Sequence, residues 1–306
     1  MSLQTTDYRL QRGQALVLVL LSLAVVLTIV LFILSRSITD VAVSSRQEES
    51  VRAFSAAEAG IEKSLVIGAG TSQDFGTANY SSAVSNYAEG TQDFLYPINM
   101  SSGDTFTTWF SNHDTDGNMI CDGSHPCFNS SAASGSNFIR ICWGKPGTGA
   151  GDETTPAVEL SFFYEAIPGN VSTINITRGV FDPFVGRRST NGFFANDSGS
   201  CTISGTDYAF SKTLTFADAD IPVSSYGVSG GLQFMRARMF YNTDQSHPIG
   251  VTVAFAGNSV LPSQGQSITS TGVSGESNRK LEVFQGWPEV PSVFDYAVYS
   301  SNGLTQ

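Results

Sequence analysis

Twenty consecutive residues, Ala15 to Leu34, are apolar except for Ser22 and Thr28, and nothing else in the chain restricts its fold as much. At a rise of ~1.5 Å per residue they cover roughly the ~30 Å of a bilayer's hydrocarbon core. A lone span in lipid must satisfy its own backbone N–H and C=O groups, so it has to be a helix. Past Ser35 there is no Gly before Gly60 and no Pro before Pro97, so nothing stops that helix at the membrane face. The pattern predicts one helix over residues 14–68, membrane-spanning over 15–34 and amphipathic over 35–68. Unbroken, it is on the order of 80 Å long.

In the outer half, Val51, Phe54, Glu58, Ile61 and Leu65 recur at spacings of three and four, which defines one helix face. A carboxylate is unexpected there. Either that face is only partly covered, or Glu58 pairs with a cation from the head or from a neighbouring subunit. Gly60 costs ~1 kcal/mol against Ala within a helix and so signals close packing or a bend. Glu48 and Arg52 form a favourable i,i+4 pair. Gly68-Ala69-Gly70 should end the helix.

Residues 1–13 carry no structural pattern and read as a leader. A cleaved secretory signal would have a 7–15-residue apolar region ending at a small-x-small site. Ser22-Leu23-Ala24 is a nominal site, but the apolar run continues ten residues beyond it. Arg9 and Arg12 against Asp7 lean towards a cytoplasmic N-terminus, opposed by Arg36 on the far side. The bulk of the chain then lies outside the cytoplasm.

Arg12-Gly13-Gln14-Ala15-Leu16, the apolar helix directly after it, and Ala53-Phe54-Ser55-Ala56-Ala57-Glu58-Ala59-Gly60 resemble the N-terminus of bacterial type IV pilin and pseudopilin precursors. The likeness is closest to PilX-type minor pilins and covers residues 9 to about 65. It implies removal of the leader by a prepilin peptidase between Gly13 and Gln14, and a subunit held in the inner membrane with an extracytoplasmic head. It also implies later assembly, with other pilin subunits and the pilus assembly machinery, into an extracellular filament, with no cofactor required. One residue departs from the family. Major pilins carry Glu five residues after the cleavage Gly, whereas this chain has Leu18. In the family that Glu is thought to pair with the N-terminal amine of the subunit assembled before it, so Leu18 implies a subunit that initiates assembly or sits at the tip.

The 306 residues carry a formal net charge of -11 and no basic tract, which disfavours nucleic acid as a partner. Beyond Gly68 the chain is rich in Gly, Ser, Thr and Asn and reads as a loop-rich extracellular β domain. Residues 71–137 are expected to be connecting loops with short strands. From Phe138 the period becomes two: Val158, Leu160, Phe162 and Tyr164, then Leu214 and Phe216, then Val251, Val253 and Phe255. Met235, Met239 and Tyr241, then Leu281 and Val283, then Val293 and Tyr299 suggest further strands. Short strands without helices between them predict an antiparallel meander or sandwich. The expected class is α+β: a long N-terminal transmembrane helix continuing into a β-rich head over residues 69–306.

Candidate chemistry is sparse. Gly227-Val228-Ser229-Gly230-Gly231 matches a nucleophile elbow in letters, but that motif needs a strand turning into a helix, and Leu232 to Tyr241 reads as a strand. Gly-Val-Ser-Gly recurs at Gly272–Gly275 as a second expected turn. His113, His125 and His247 show no metal-ligand spacing, and no catalytic constellation emerges. Asn112, Asp114, Asp116 and Asn118 alternate oxygen ligands around Gly117 like the first half of a calcium loop. The twelfth position is Gly123 instead of Glu, which leaves Asp122 to complete a shell; a solvated Asp/Asn turn explains the same residues. Cys121, Cys127, Cys142 and Cys201 favour disulfides outside the cytoplasm, with three connectivities open. Pairing Cys121 with Cys127 is preferred because they are close in sequence, which leaves Cys142 with Cys201; zinc fits the spacing poorly. Trp109, Trp143 and Trp287 are candidates for a surface groove in an adhesin or glycan-binding head. That is the alternative function, a membrane-anchored surface protein that never polymerises.

Overall fold

The computed structural model describes residues 11–130, 138–254 and 259–289. Phe255, Val293 and Tyr299 lie outside them. The chain is α+β: a long apolar N-terminal helix leads into a β-rich antiparallel head. The helix runs unbroken over Gln11–Ile67, about 85 Å at 1.5 Å per residue. It ends where expected. Gly68 takes φ 72° and donates its N–H to Ser64 O at 2.8 Å, the left-handed closure that a side chain would strain.

The described chain forms two compact units, one made of the residues up to Val84 with Ile268–Glu282, the other of Ser85–Ser267 with the residues from Val283 onward. In the first, the outer half of the helix packs on a sheet whose strands lie in the order Ser72–Asp74, Asn79–Asn86, Gly265–Ser274, Ser277–Gly286. The face it buries is not the one the apolar periodicity marks. Ala53, Ala56, Ala57, Gly60, Ile61 and Ser64 are covered, whereas Val51, Phe54, Glu58 and Leu65 are exposed. Closeness of approach explains the rotation. A Cβ on Gly60 would stand 2.2 Å from Ser270 Oγ and 2.7 Å from the Tyr80 ring, and one on Gly272 would stand 2.0 Å from Ala53 O. Only small residues fit where the backbones meet, so Gly60 marks close packing. Polar contacts fix its register: Ser64 Oγ with Ser82 Oγ at 2.7 Å, Arg279 donating to Ser50 Oγ at 2.6 Å, and the Glu276 N–H reaching the Glu49 carboxylate at 3.3 Å. The expected Glu48–Arg52 pair also forms.

The second unit holds two antiparallel four-stranded sheets. One has the order Phe210–Thr215, Phe138–Trp143, Ile249–Thr252, Asp93–Leu95; the other Thr105–Trp109, Leu232–Phe240, Ala157–Glu165, Ile174–Phe181. Period-two residues from both meet in one core, Ile139, Ile141 and Val251 from the first, Val158, Leu160, Phe162, Met235 and Met239 from the second. The arrangement is a sandwich. A meander is ruled out because most neighbouring strands are not consecutive in the chain. Residues 71–130 hold the expected short strands, Asp93–Leu95 and Thr105–Trp109 among them, and also fill the core: Phe94, Phe106, Phe110 and Phe128 are fully buried. Two short helices also interrupt the strands, Val185–Asn191 and Val223–Tyr226. The second Gly-Val-Ser-Gly turns only at its end: Gly272 to Ser274 finish a strand, and Gly275, at φ 53°, leads into the Ser277–Gly286 strand.

Candidate functional site

The helix is the feature with the plainest functional content. Among the described residues it is the one helix long and apolar enough to cross a membrane, and its apolar stretch is exposed throughout. Gly13 and Gln14 lie in its first turns. Leu18 is exposed on its surface and places no charge within the span. Further out, Ile38, Val41, Val51, Phe54 and Leu65 are bare. Glu58 is exposed beside them with no ion pair among the described residues, so of its two readings the partly covered face holds within a single chain.

The acidic loop closes a two-residue hairpin, Asn112–His113 against Met119–Ile120. The carboxylate of Asp114 accepts the N–H groups of Asp116 and Asn118, each at 2.9 Å. These bonds, that from Asn118 foremost, hold its carboxyl below the usual carboxylate range. Asn112 is buried and donates its amide to Pro126 O at 3.2 Å. Asp122 forms a separate turn, accepting from the backbone of Ser124 and His125 and from the His125 ring, and its carboxyl too is held low, first by the His125 N–H. Asp116 is exposed at the tip. The residues expected to share one calcium shell are therefore divided between two turns. Among the described residues no three His, Cys, Asp or Glu side chains gather as metal ligands, and a solvated Asp/Asn turn accounts for the sequence pattern.

The preferred disulfide pairing is present. Cys121–Cys127 and Cys142–Cys201 are bonded, with Cα atoms 5.4 and 5.9 Å apart. Cys142 and Cys201 are buried, whereas Cys121 is exposed.

The three tryptophans separate. Trp143 is fully buried in the core, its N–H donated to Pro156 O at 2.9 Å, so it belongs to no groove. Trp109 and Trp287 come together around His113, whose ring stacks on Trp287 at 4.6 Å and meets Trp109 edge-on at 4.5 Å. Burial lowers the pKa of His113 to about 4, against the opposing pull of Asp114. Ser229 lies in the turn before the Leu232–Phe240 strand, the wrong setting for a nucleophile. His247 is buried and accepts the Lys145 N–H at Nδ1.

One cluster was missed from sequence. Arg187, on the short helix, bonds both carboxylate oxygens of Asp182 at 2.8 Å and donates to Glu153 O and Thr155 O, with the Tyr241 ring 3.7 Å from its guanidinium carbon. Burial alone would raise the Asp182 pKa, but the bonds from Arg187, the Phe184 N–H and Asn191, with the Arg187 charge, hold it below the ordinary value. The available signal was the adjacent pair Arg187-Arg188 in a head sparse in Lys and Arg. Every donor serves the fold, so the cluster reads as a staple for the Val185–Asn191 helix. Comparison with family models, curated proteins and solved structures finds no match.

Proposed function

We propose that the chain is a minor type IV pilin-like subunit, held in the inner membrane by Ala15 to Leu34, cut between Gly13 and Gln14, and inserted into a surface filament. The observation that carries this reading is the division of labour along one unbroken helix. Its small-residue face is occupied by the chain's own sheet, while its large apolar residues from Leu16 through Leu65, Ile61 excepted, are bare. Lipid and a bundle of apolar helices are similar solvents for such a surface, so packing and a motor can move the subunit between them. Prepilin peptidase, other pilin subunits and the assembly machinery are the partners this requires.

Leu18 refines the proposal. A carboxylate in hydrocarbon costs ~2.5–3.5 kcal/mol on insertion scales and is worth keeping only where a cation meets it. A subunit with Leu18 offers no partner to a predecessor's terminal amine, which suits the first subunit assembled, at or near the tip. Intact-mass measurement of the membrane-extracted protein should give a chain beginning at Gln14. A leader still attached in cells with an active prepilin peptidase would sink the reading. Labelled heads should appear at filament ends, and label spaced evenly along the shaft would remove the tip assignment.

A further inference from the structure

The second unit carries a cleft of about 280 Å³ whose walls include Tyr96, Trp109, Gln264, Phe284, Trp287 and Glu289. Its rings are fixed in place. Trp287 is pinned by the His113 stack and by its N–H, donated to Ser263 O at 2.9 Å, so a ligand meets the ring and not the donor. Tyr96 is braced by Phe106 at 5.1 Å and Phe284 at 6.2 Å. A surface ordered before binding loses little entropy when a ligand arrives.

The polar groups narrow the ligand. Glu289 accepts from the Thr107 hydroxyl and from the Arg236 guanidinium through Oε2, and Oε1 has no partner among the described residues. The Tyr96 hydroxyl likewise has no hydrogen bond there; burial first, then the charges of Glu289 and Asp104, raise its pKa, so it stays a donor. The cleft thus offers one acceptor and one donor between aromatic faces. Its carboxylate is already paired with Arg236, which disfavours a free cation or anion. An extended peptide is disfavoured as well. Gln264 donates to Trp109 O and accepts the Trp109 N–H at 2.9 and 2.8 Å, taking the place that an added strand would need on that edge.

A neutral ligand with an apolar, slightly electropositive C–H face and hydroxyls at its rim meets all these conditions. We infer that the cleft binds one ring of a neutral saccharide, stacked on Trp287 with hydroxyls on Glu289 and Tyr96. This goes beyond a filament role and does not depend on it, since the site lies in the second unit whether or not the chain is cut after Gly13.

The test uses the full chain in detergent, titrated by calorimetry and tryptophan fluorescence with methyl glycosides of glucose, galactose, mannose, N-acetylglucosamine, N-acetylgalactosamine, fucose and rhamnose, and with choline. Saturable binding of at least one glycoside is expected. Trp287→Ala and Glu289→Gln should weaken it at least tenfold, and Trp287→Phe should keep part of it, with near-UV circular dichroism verifying the fold of each variant. No binding by the wild type, binding of choline alone, or binding unchanged in a folded Trp287→Ala protein would each overturn the assignment.

Discussion

The seam under the helix and the core of the sandwich are held by different physics. In the seam, Ala53, Ala57, Gly60, Ser64 and Gly272 let backbones approach until there is no room for another carbon, and little apolar area is buried per residue. In the core, Phe106, Trp143, Phe162 and Met235 exclude water with large side chains, each worth on the order of 1.5–3 kcal/mol when fully buried. One surface is specified by shape and the other by area. The first fails when atoms are added and the second when they are removed.

Breaking the core should give the largest effect. Phe162→Ala removes a ring from a fully packed site and should cost ~3–5 kcal/mol. All three tryptophans belong to the second unit, so fluorescence-detected denaturation reads that unit alone. Acid comes next and acts on the same side of the comparison. The pKa of His113 in the folded chain, about 4, lies below its ordinary 6.5. The unfolded chain therefore binds the extra proton first, and stability should fall as pH drops from about 6.5 to 4, by on the order of 3 kcal/mol, then level off for this group. Asp182 adds a loss that begins only as pH falls below its ordinary value of 3.8, because its folded-state pKa is depressed. His113→Gln should flatten the first part of the profile, and a profile unchanged by that variant would remove His113 as its cause.

Adding a single methyl group tests the seam. Gly272→Ala should cost ~1–3 kcal/mol, because the atoms it meets are backbone and cannot swing aside. Hydrogen exchange at residues 53–64 should speed up while the tryptophan transition stays put. A shift in both would mean that the two surfaces are not independent. The smallest effect belongs to the bare face. Phe54→Ser and Leu65→Ser should change stability by no more than about 0.5 kcal/mol, yet reduce filament incorporation. A large thermal shift in the isolated subunit would show that the face is covered within one chain after all.

The strongest periodic signals were legible. The helix and its stop at Gly68 could be read directly, because an apolar run without breakers and a terminal Gly leave few alternatives. The Val158–Tyr164 strand and the Cys121–Cys127 bond were legible for similar reasons of pattern and proximity. The buried helix face was not, since hydrophobic periodicity ranks faces by area and cannot see that a sheet closes to within reach of Ala53 O. Gly60 carries the missing information, but by itself signals close packing and a bend equally well. Asn112 to Asp122 were ambiguous, because alternating oxygens suit an Asx turn as well as a cation shell, and only the direction of each carboxylate separates the two. Trp109 and Trp287 were singled out by residue type alone. His113 between them was not, because a contact between a hairpin and a distant segment leaves no local trace.

The seam also imposes a timetable. Glu49 and Glu276, which meet across it, are 227 residues apart in the chain. At ~5–20 residues per second of synthesis, the strand that covers the helix appears on the order of 10–45 s after the helix itself. For that interval the helix has to remain unaccompanied on its inner side without recruiting a wrong neighbour. A face of leucines would be adhesive throughout the wait. A face of Ala53, Ala57, Gly60 and Ser64 offers little to hold until a surface of matching contour arrives, so the same small side chains that make the finished contact exacting keep its unfinished half inert.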